Sequence, residues 1–257
     1  MIAHADRGSS MTDRWRKVFD HARRAACVLM TCCVVQGIAH AENVHEPLQI
    51  WFVRHAQSEL NDDSYSHTAP DSGMSYPLTE HGIAQANAVA DQLVGRTVLE
   101  IYTSTRLRAI QTADAIAFRQ GLPLKLAPEA VEIDLDSASA ATDMKSAYTD
   151  LTRRWIDDKD IEARNGDGES LLDLQRRFLP FVREVMNRHA DDSGTIVIVS
   201  HSATLALMIP MLASNVPPKF ALTHTPPNGS IVKTELRDGR LYCIDWADIP
   251  AASLKDP

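Results

Sequence analysis

Cysteine is almost missing from the part of this chain that can build a core. Cys27, Cys32 and Cys33 lie before residue 41, and Cys243 stands alone after it. A single cysteine excludes an internal disulfide framework, so the domain must be held by apolar packing. Basic residues are outnumbered, 26 against 34 acidic, for a formal net charge of -8, which argues against nucleic acid as a partner. There is no internal repeat and no low-complexity tract. No basic or amphipathic stretch after residue 41 suits a membrane surface. The apolar run Ala25–Ile38 falls short of the roughly 20 residues that span a bilayer. What is present is 44% hydrophobic and 23% charged over 257 residues, the composition of a soluble protein with one sizeable domain.

The first forty-one residues read as a leader. Arg14, Arg16, Lys17, Arg23 and Arg24 precede the apolar run, and Ala39-His40-Ala41 follows it with small residues where a signal peptidase reads. Basic, apolar and small, in that order, is the pattern of a secretory signal. The expectation is a signal peptide over 1–41, a single domain over 42–257, and a periplasmic or secreted protein with no stable membrane insertion after cleavage. Met11 is an alternative start. Cys32 is a poor match to a lipid-attachment site. Cutting after Ala41 takes six basic and three acidic residues from the totals, leaving 20 and 31 and a net charge of -11. An anion must then be bound in a local cationic pocket.

Beyond the leader, short apolar runs alternate with helical patterns. Leu48–Val53 reads as a buried strand that ends abruptly in Arg54-His55. Thr79 is a helix N-cap before an apolar face reaching about Val94. A strand over 99–103 leads into a helix over 105–120 that stops at Gly121. A third strand is read at 122–126 and a helix around 138–157. Glu169–His189 is a strongly amphipathic helix that Pro180 could bend. Thr195–Val199, TIVIV, is a central strand, followed by a helix over 203–212. A loop between the Pro217-Pro218 and Pro226-Pro227 pairs precedes two strands, 230–236 and 241–246, joined by a turn at Asp238-Gly239. This order predicts an α/β fold: a three-layer α/β/α sandwich around a mainly parallel central sheet.

Two of these strands end in a histidine, His55 after Arg54 and His201 within Ser200-His201-Ser202. Residues at the carboxyl ends of strands in such sheets line the ligand crevice. Arg106 and Arg108 sit at a third strand-to-helix junction. Two imidazoles and two guanidiniums suit a phosphoryl group, whose oxygens need several cationic donors. A neutral imidazole can attack phosphorus, and a carboxylic acid can protonate the leaving oxygen. Metal ligation by the histidines is the rival, disfavoured because Arg54 would repel a cation.

In its motifs the chain resembles the histidine phosphatase superfamily, in its phosphoglycerate-mutase-like branch. They are Arg54-His55-Ala56-Gln57-Ser58-Glu59-Leu60-Asn61, the P-L-T-x-x-G-x-x-Q-A of Pro77–Ala86, Arg108-Ala109-Ile110-Gln111-Thr112-Ala113, Gly168-Glu169-Ser170, Ser200-His201-Ser202 and Asn228-Gly229-Ser230. In this order they cover nearly all of 49–246. The resemblance implies that His55 is the phosphorylated nucleophile, and it selects Arg108 over Arg106. It implies that Arg54, Arg108 and His201 bind the phosphoryl oxygens. Glu132 is then the proton donor, with Asp134 as the alternative, and Ser58, Asn61 and Ser202 assist in substrate binding. Three departures stand out: Ala56 and Asp136 replace glycines, and Ser202 follows His201 where the acid-phosphatase branch has Asp. The expected function is an exported, metal-independent phosphomonoesterase without cofactor, acting on a small phosphorylated substrate. A mutase and a non-catalytic phosphate-binding domain are the alternatives.

Overall fold

A computed structural model describes residues 47–64, 75–135 and 143–255. The leader expected over 1–41 and the Asp136 departure lie outside the described residues.

Seven strands form one sheet in the order β3-β2-β4-β1-β5-β6-β7. They are β1 Gln49–Arg54, β2 Val98–Thr103, β3 Leu124–Leu126, β4 Thr195–Ser200, β5 Ile231–Arg237, β6 Arg240–Trp246 and β7 Ile249–Pro250. The first four are mutually parallel, with β4 between β2 and β1. The last three are antiparallel additions at the β1 side. All six residues of β4 are buried, as a strand covered on both faces requires.

The helices are α1 Glu80–Gln92, α2 Leu107–Gln120, α3 Met144–Ile156, α4 Leu171–Arg188, α5 Ser202–Leu212 and α6 Pro218–Thr223. Strand alternation assigns each face its own core. Trp51 and Val53 of β1 and Val197 and Val199 of β4 pack with Val89 and Ala90 of α1 and Ala113 and Ile116 of α2. Ile50, Phe52, Ile196 and Ile198 point the other way, into a larger core with Trp155 of α3, Phe178 of α4, Leu205 of α5 and Phe220 of α6. The expected three layers are therefore present, with the sheet parallel at its centre.

Local signals explain most element ends. Thr79 caps α1, its Oγ1 accepting from Gly82 N at 3.0 Å. Ser170 and Asp173 form a reciprocal capping box on α4, which runs on through Pro180. Gly121 ends α2 in the left-handed conformation, and Asp238 and Gly239, φ 50° and 74°, make the two-residue turn between β5 and β6. Three expectations need correcting. The helix read at 138–157 begins at Met144, because Asp143 accepts from the backbone of Lys145 and Ser146 as its cap. The stretch read as loop after Pro217 contains α6, since Pro218 occupies a first turn where a missing N–H leaves nothing unpaired. The third strand starts at Leu124, because Leu122 N still donates to Ala117 O at the exit of α2.

One contact ties α1 to the loop after β1. A Cβ on Gly82 would stand 1.9 Å from Gln57 O, and that same carbonyl accepts from Thr79 N at 3.1 Å. The helix can approach this closely only without a side chain there. Gly82→Ala is expected to lower stability by about 1–3 kcal/mol, the usual range for overpacking. Urea unfolding would show it as a lower midpoint; an unchanged midpoint would contradict the close approach.

Candidate active site

Three adjacent parallel strands stop one residue short of a polar side chain. β1 ends before His55, β4 before His201 and β2 before Ser104, and all three side chains are buried. Backbone bonds align these ends: His55 N donates to Ser200 O at 3.0 Å and Ser104 N to Val199 O at 2.9 Å. Strand order thus brings together residues 55, 104 and 201. The two imidazole rings lie 5.0 Å apart between centroids, tilted by 60°.

Hydrogen-bond partners fix the protons on His55. Its Nδ1 is 2.8 Å from Ala56 O, and a carbonyl only accepts, so Nδ1 carries the hydrogen. That leaves the lone pair on Nε2, which receives Arg108 Nε at 3.3 Å. Arg108 Nη2 also reaches His201 Nδ1 at 3.5 Å, and His201 Nε2 lies 2.7 Å from Ser104 Oγ. Burial pushes both histidine pKa values well below the ordinary range, reinforced for His55 by Arg108 and for His201 by His55 and Arg108. Both rings are therefore neutral at physiological pH.

Arg54, the last residue of β1, donates through Nη1 to Pro226 O at 2.9 Å, and its buried Nε makes no hydrogen bond among the described residues. Burial lowers its pKa and nearby Glu132 opposes that. Arg108, fixed on the first turn of α2, touches both imidazoles. Arg106 stands at the N-cap position of α2, where its charge also disfavours protonation of His201.

The backbone around His55 is held on three sides. Ala56 N donates to Thr112 Oγ1 at 3.0 Å, which puts Thr112 one helical turn beyond Arg108 on the same face. Gln57 N donates to Gln85 Oε1 at 2.8 Å. Asn228 Nδ2 donates to His55 O at 3.0 Å, and Gly229 N reaches the carbonyls of Arg54 and His55 at 3.2 Å. Gly229 has φ +69°, a conformation that favours glycine, with Gln85 directly beside it. Ala56 has no positive φ, so replacing a glycine there carries no backbone strain. The sequence motifs contain Thr112 and Asn228 without assigning them roles, and Ser104 lies outside those motifs.

The two candidate carboxylates differ in burial. Glu132 reaches the N-terminus of α5, beside His201. Its Oε1 accepts from Thr204 N at 2.8 Å, Thr204 Oγ1 at 3.0 Å and Ile133 N at 3.1 Å, and its Oε2 from Ala203 N at 3.2 Å. Asp134 is exposed, and its backbone is tied to Glu169. Glu169 also pairs with Arg177, whose Nη1 clasps the carbonyls of Glu129 and Val131 at 2.6 and 3.0 Å. This clasp sets the path of the segment carrying Glu132. The buried hydroxyl of Tyr148, on α3, makes no hydrogen bond among the described residues, and burial and Glu132 push its pKa up. No periodicity marked Tyr148.

The remaining expected residues are near but differently engaged. Ser58 is fully buried and donates to Asn61 Oδ1 at 3.2 Å, and Asn61 also receives Asn228 Nδ2 at 3.3 Å. Ser202 opens α5, half-buried beside His201. Among the described residues no cluster of three or more His, Cys, Asp or Glu could hold a metal ion, and no helix is long and apolar enough to cross a membrane.

The family model of the histidine phosphatase superfamily (branch 1) matches residues 50–249. The chain is 30% identical over 163 residues to phosphoserine phosphatase 1 of Hydrogenobacter thermophilus, covering 63% of this chain and 74% of that one. It is 29% identical over 163 residues to the glucosyl-3-phosphoglycerate phosphatase of Mycolicibacterium vanbaalenii, covering 61% and 70%. Among solved structures, a mycobacterial glucosyl-3-phosphoglycerate phosphatase superposes with a TM-score of 0.63 at 23% identity, over 78% of this chain and 99% of that one.

Proposed function

The chain belongs to the histidine phosphatase superfamily, branch 1, and from that premise we propose that it is an exported phosphomonoesterase working through a phosphohistidine on His55. One observation carries the reading: a neutral imidazole presents the lone pair of Nε2 to a buried guanidinium, in a pocket that a second imidazole completes. Arg54, Arg108 and His201 surround the phosphoryl oxygens, and Nε2 of His55 displaces the leaving group in line. Glu132 protonates the departing oxygen and then takes a proton from the water that hydrolyses the phosphohistidine. Its Oε2, with one donor against three on Oε1, is the oxygen that faces this task. Asp134, exposed and tied through its backbone to Glu169, is the weaker choice.

The adjacent cations leave no electrostatic reason for a metal, so turnover is proposed to be metal-independent and to need no cofactor. Relatives named for phosphoserine and glucosyl-3-phosphoglycerate support a small phosphorylated substrate. The basic, apolar and small-residue order of residues 14–41 supports export. Ser58 and Asn61 shape the loop under the substrate, and Ser202 stands at its edge.

Hydrolysis of an aryl phosphate by the purified protein in excess chelator tests the reading. Chelator-resistant turnover is expected, with an acid-labile, base-stable phosphoenzyme on rapid quenching. Phosphate binding without turnover of any phosphomonoester would favour a binding domain instead. Turnover that chelator abolishes would sink the metal-free mechanism.

A further inference from the structure

A tyrosine ordinarily keeps its ring dry and its hydroxyl wet or paired. Tyr148 reverses this. The residue is only half-buried, yet its hydroxyl oxygen is the buried part, and that oxygen makes no hydrogen bond among the described residues. On α3 it lies one turn before buried Leu151 and two before buried Trp155, and its ring packs against the same core as theirs. The polar tip therefore points into the protein. A phenylalanine would fill this space without burying an unpaired hydroxyl, which is costly.

Glu132 is the neighbour whose charge is felt at this hydroxyl, but it is not the hydrogen-bond partner. The described donors to its carboxylate are Ile133 N, Ala203 N, Thr204 N and Thr204 Oγ1. Burial and the Glu132 charge keep the phenol protonated, so it has a hydrogen to donate. Glu132 also acts on Arg54. A phosphate-binding cation, a proton donor and a phenol are thus neighbours around one carboxylate. Arg54 takes phosphoryl oxygens and Glu132 meets the ester oxygen, so an atom beside both Glu132 and Tyr148 belongs to the alcohol that the ester oxygen carries. Glu132 would repel a carboxylate at that place. A hydroxyl is neutral and can accept from the phenol. His55, Arg108 and His201 are enclosed as well, so the route that brings a phosphoryl group to them brings its alcohol to Tyr148.

We propose that Tyr148 is a substrate-binding residue whose hydroxyl donates to a hydroxyl of the leaving alcohol, close to the ester oxygen, and so selects polyol phosphates over alkyl phosphates. A substrate with a methylene in that position leaves the phenol unpaired, and a site that buries an unpaired donor discriminates against such a substrate. This rests on the phosphatase reading above, because it presumes a leaving alcohol at Glu132.

Glycerol 3-phosphate and n-propyl phosphate share a three-carbon chain and differ in hydroxyls, so the ratio of their kcat/KM values tests the proposal. The wild-type protein is expected to favour glycerol 3-phosphate, and Tyr148→Phe to lower that ratio roughly ten-fold, the worth of about one hydrogen bond. The variant's thermal midpoint should not fall, because the hydroxyl it loses makes no hydrogen bond within the described residues. A wild-type ratio near one, or the same ratio in Tyr148→Phe, would overturn the inference and leave the phosphatase reading intact. So would a lower midpoint with an equal loss on both substrates, the sign of a structural role. A basic limb of the pH profile displaced alike for both substrates at an unchanged ratio would assign Tyr148 to the protonation of Glu132 instead, and overturn it too. Failure of the wild-type protein to hydrolyse any phosphomonoester would remove both readings.

Discussion

His55→Ala should reduce phosphatase turnover by about 10⁴-fold or more, the scale on which covalent catalysis fails when its nucleophile is removed. The loss should appear in kcat. Arg54, Arg108 and His201 stay in place, so inorganic phosphate should still bind. The fold should also survive, because the described hydrogen bond from the His55 ring to backbone goes only to Ala56 O, one residue away. Label transferred from a radioactive substrate to the wild-type protein should be absent in the variant. Activity within about ten-fold of wild type would mean that water attacks directly, or that another residue is phosphorylated.

The second large effect is expected at Arg108. Arg108→Gln removes a group that contacts both imidazoles. Losing a donor aimed at developing charge typically costs about 10²–10³-fold in turnover. A second consequence separates Arg108 from a merely structural residue. Its positive charge is, after burial, the largest cause holding the His55 pKa below the ordinary value. Removing the charge lets that pKa rise. Below its pKa the imidazole is protonated and cannot attack, so the acid limb of the kcat/KM profile should move to higher pH. A profile that drops uniformly without shifting would mean that Arg108 does not act on His55 electrostatically.

Much of this site was legible because chemistry and periodicity coincide in the strands. The runs ending at Arg54-His55 and Ser200-His201 are strands by their apolar content, and a strand end is a fixed place in a parallel sheet. Arg108 could be separated from Arg106 only by motif. The structure explains the choice: Arg106 is at the cap, whereas Arg108 is one residue inside the helix and turned to the pocket. What escaped the sequence is of a different kind. Three of the four donors on Glu132 come from residues about seventy positions away, and the Asn228 bond to His55 O spans 173 positions. No local pattern encodes such pairs. The turn between β6 and β7 was missed because Ala247 and Asp248, φ 50° and 71°, adopt left-handed geometry without the glycine that usually announces it. Likewise α6 was hidden by the prolines that start it.

The place of β4 has a consequence for how the polypeptide comes to be. β1 and β2 do not pair with each other; β4 lies between them, and it is made of residues 195–200. A nascent chain that has emerged only as far as α4 can pair β2 with β3, but its first strand has no neighbour. The central gap closes only after some two hundred residues have been synthesised, and β5 must then arrive to cover the outer side of β1. Long-range parallel pairing of this kind is slow and comes late. Until then the sheet lacks its central strand, and neither of its two halves can bury the face that the other covers.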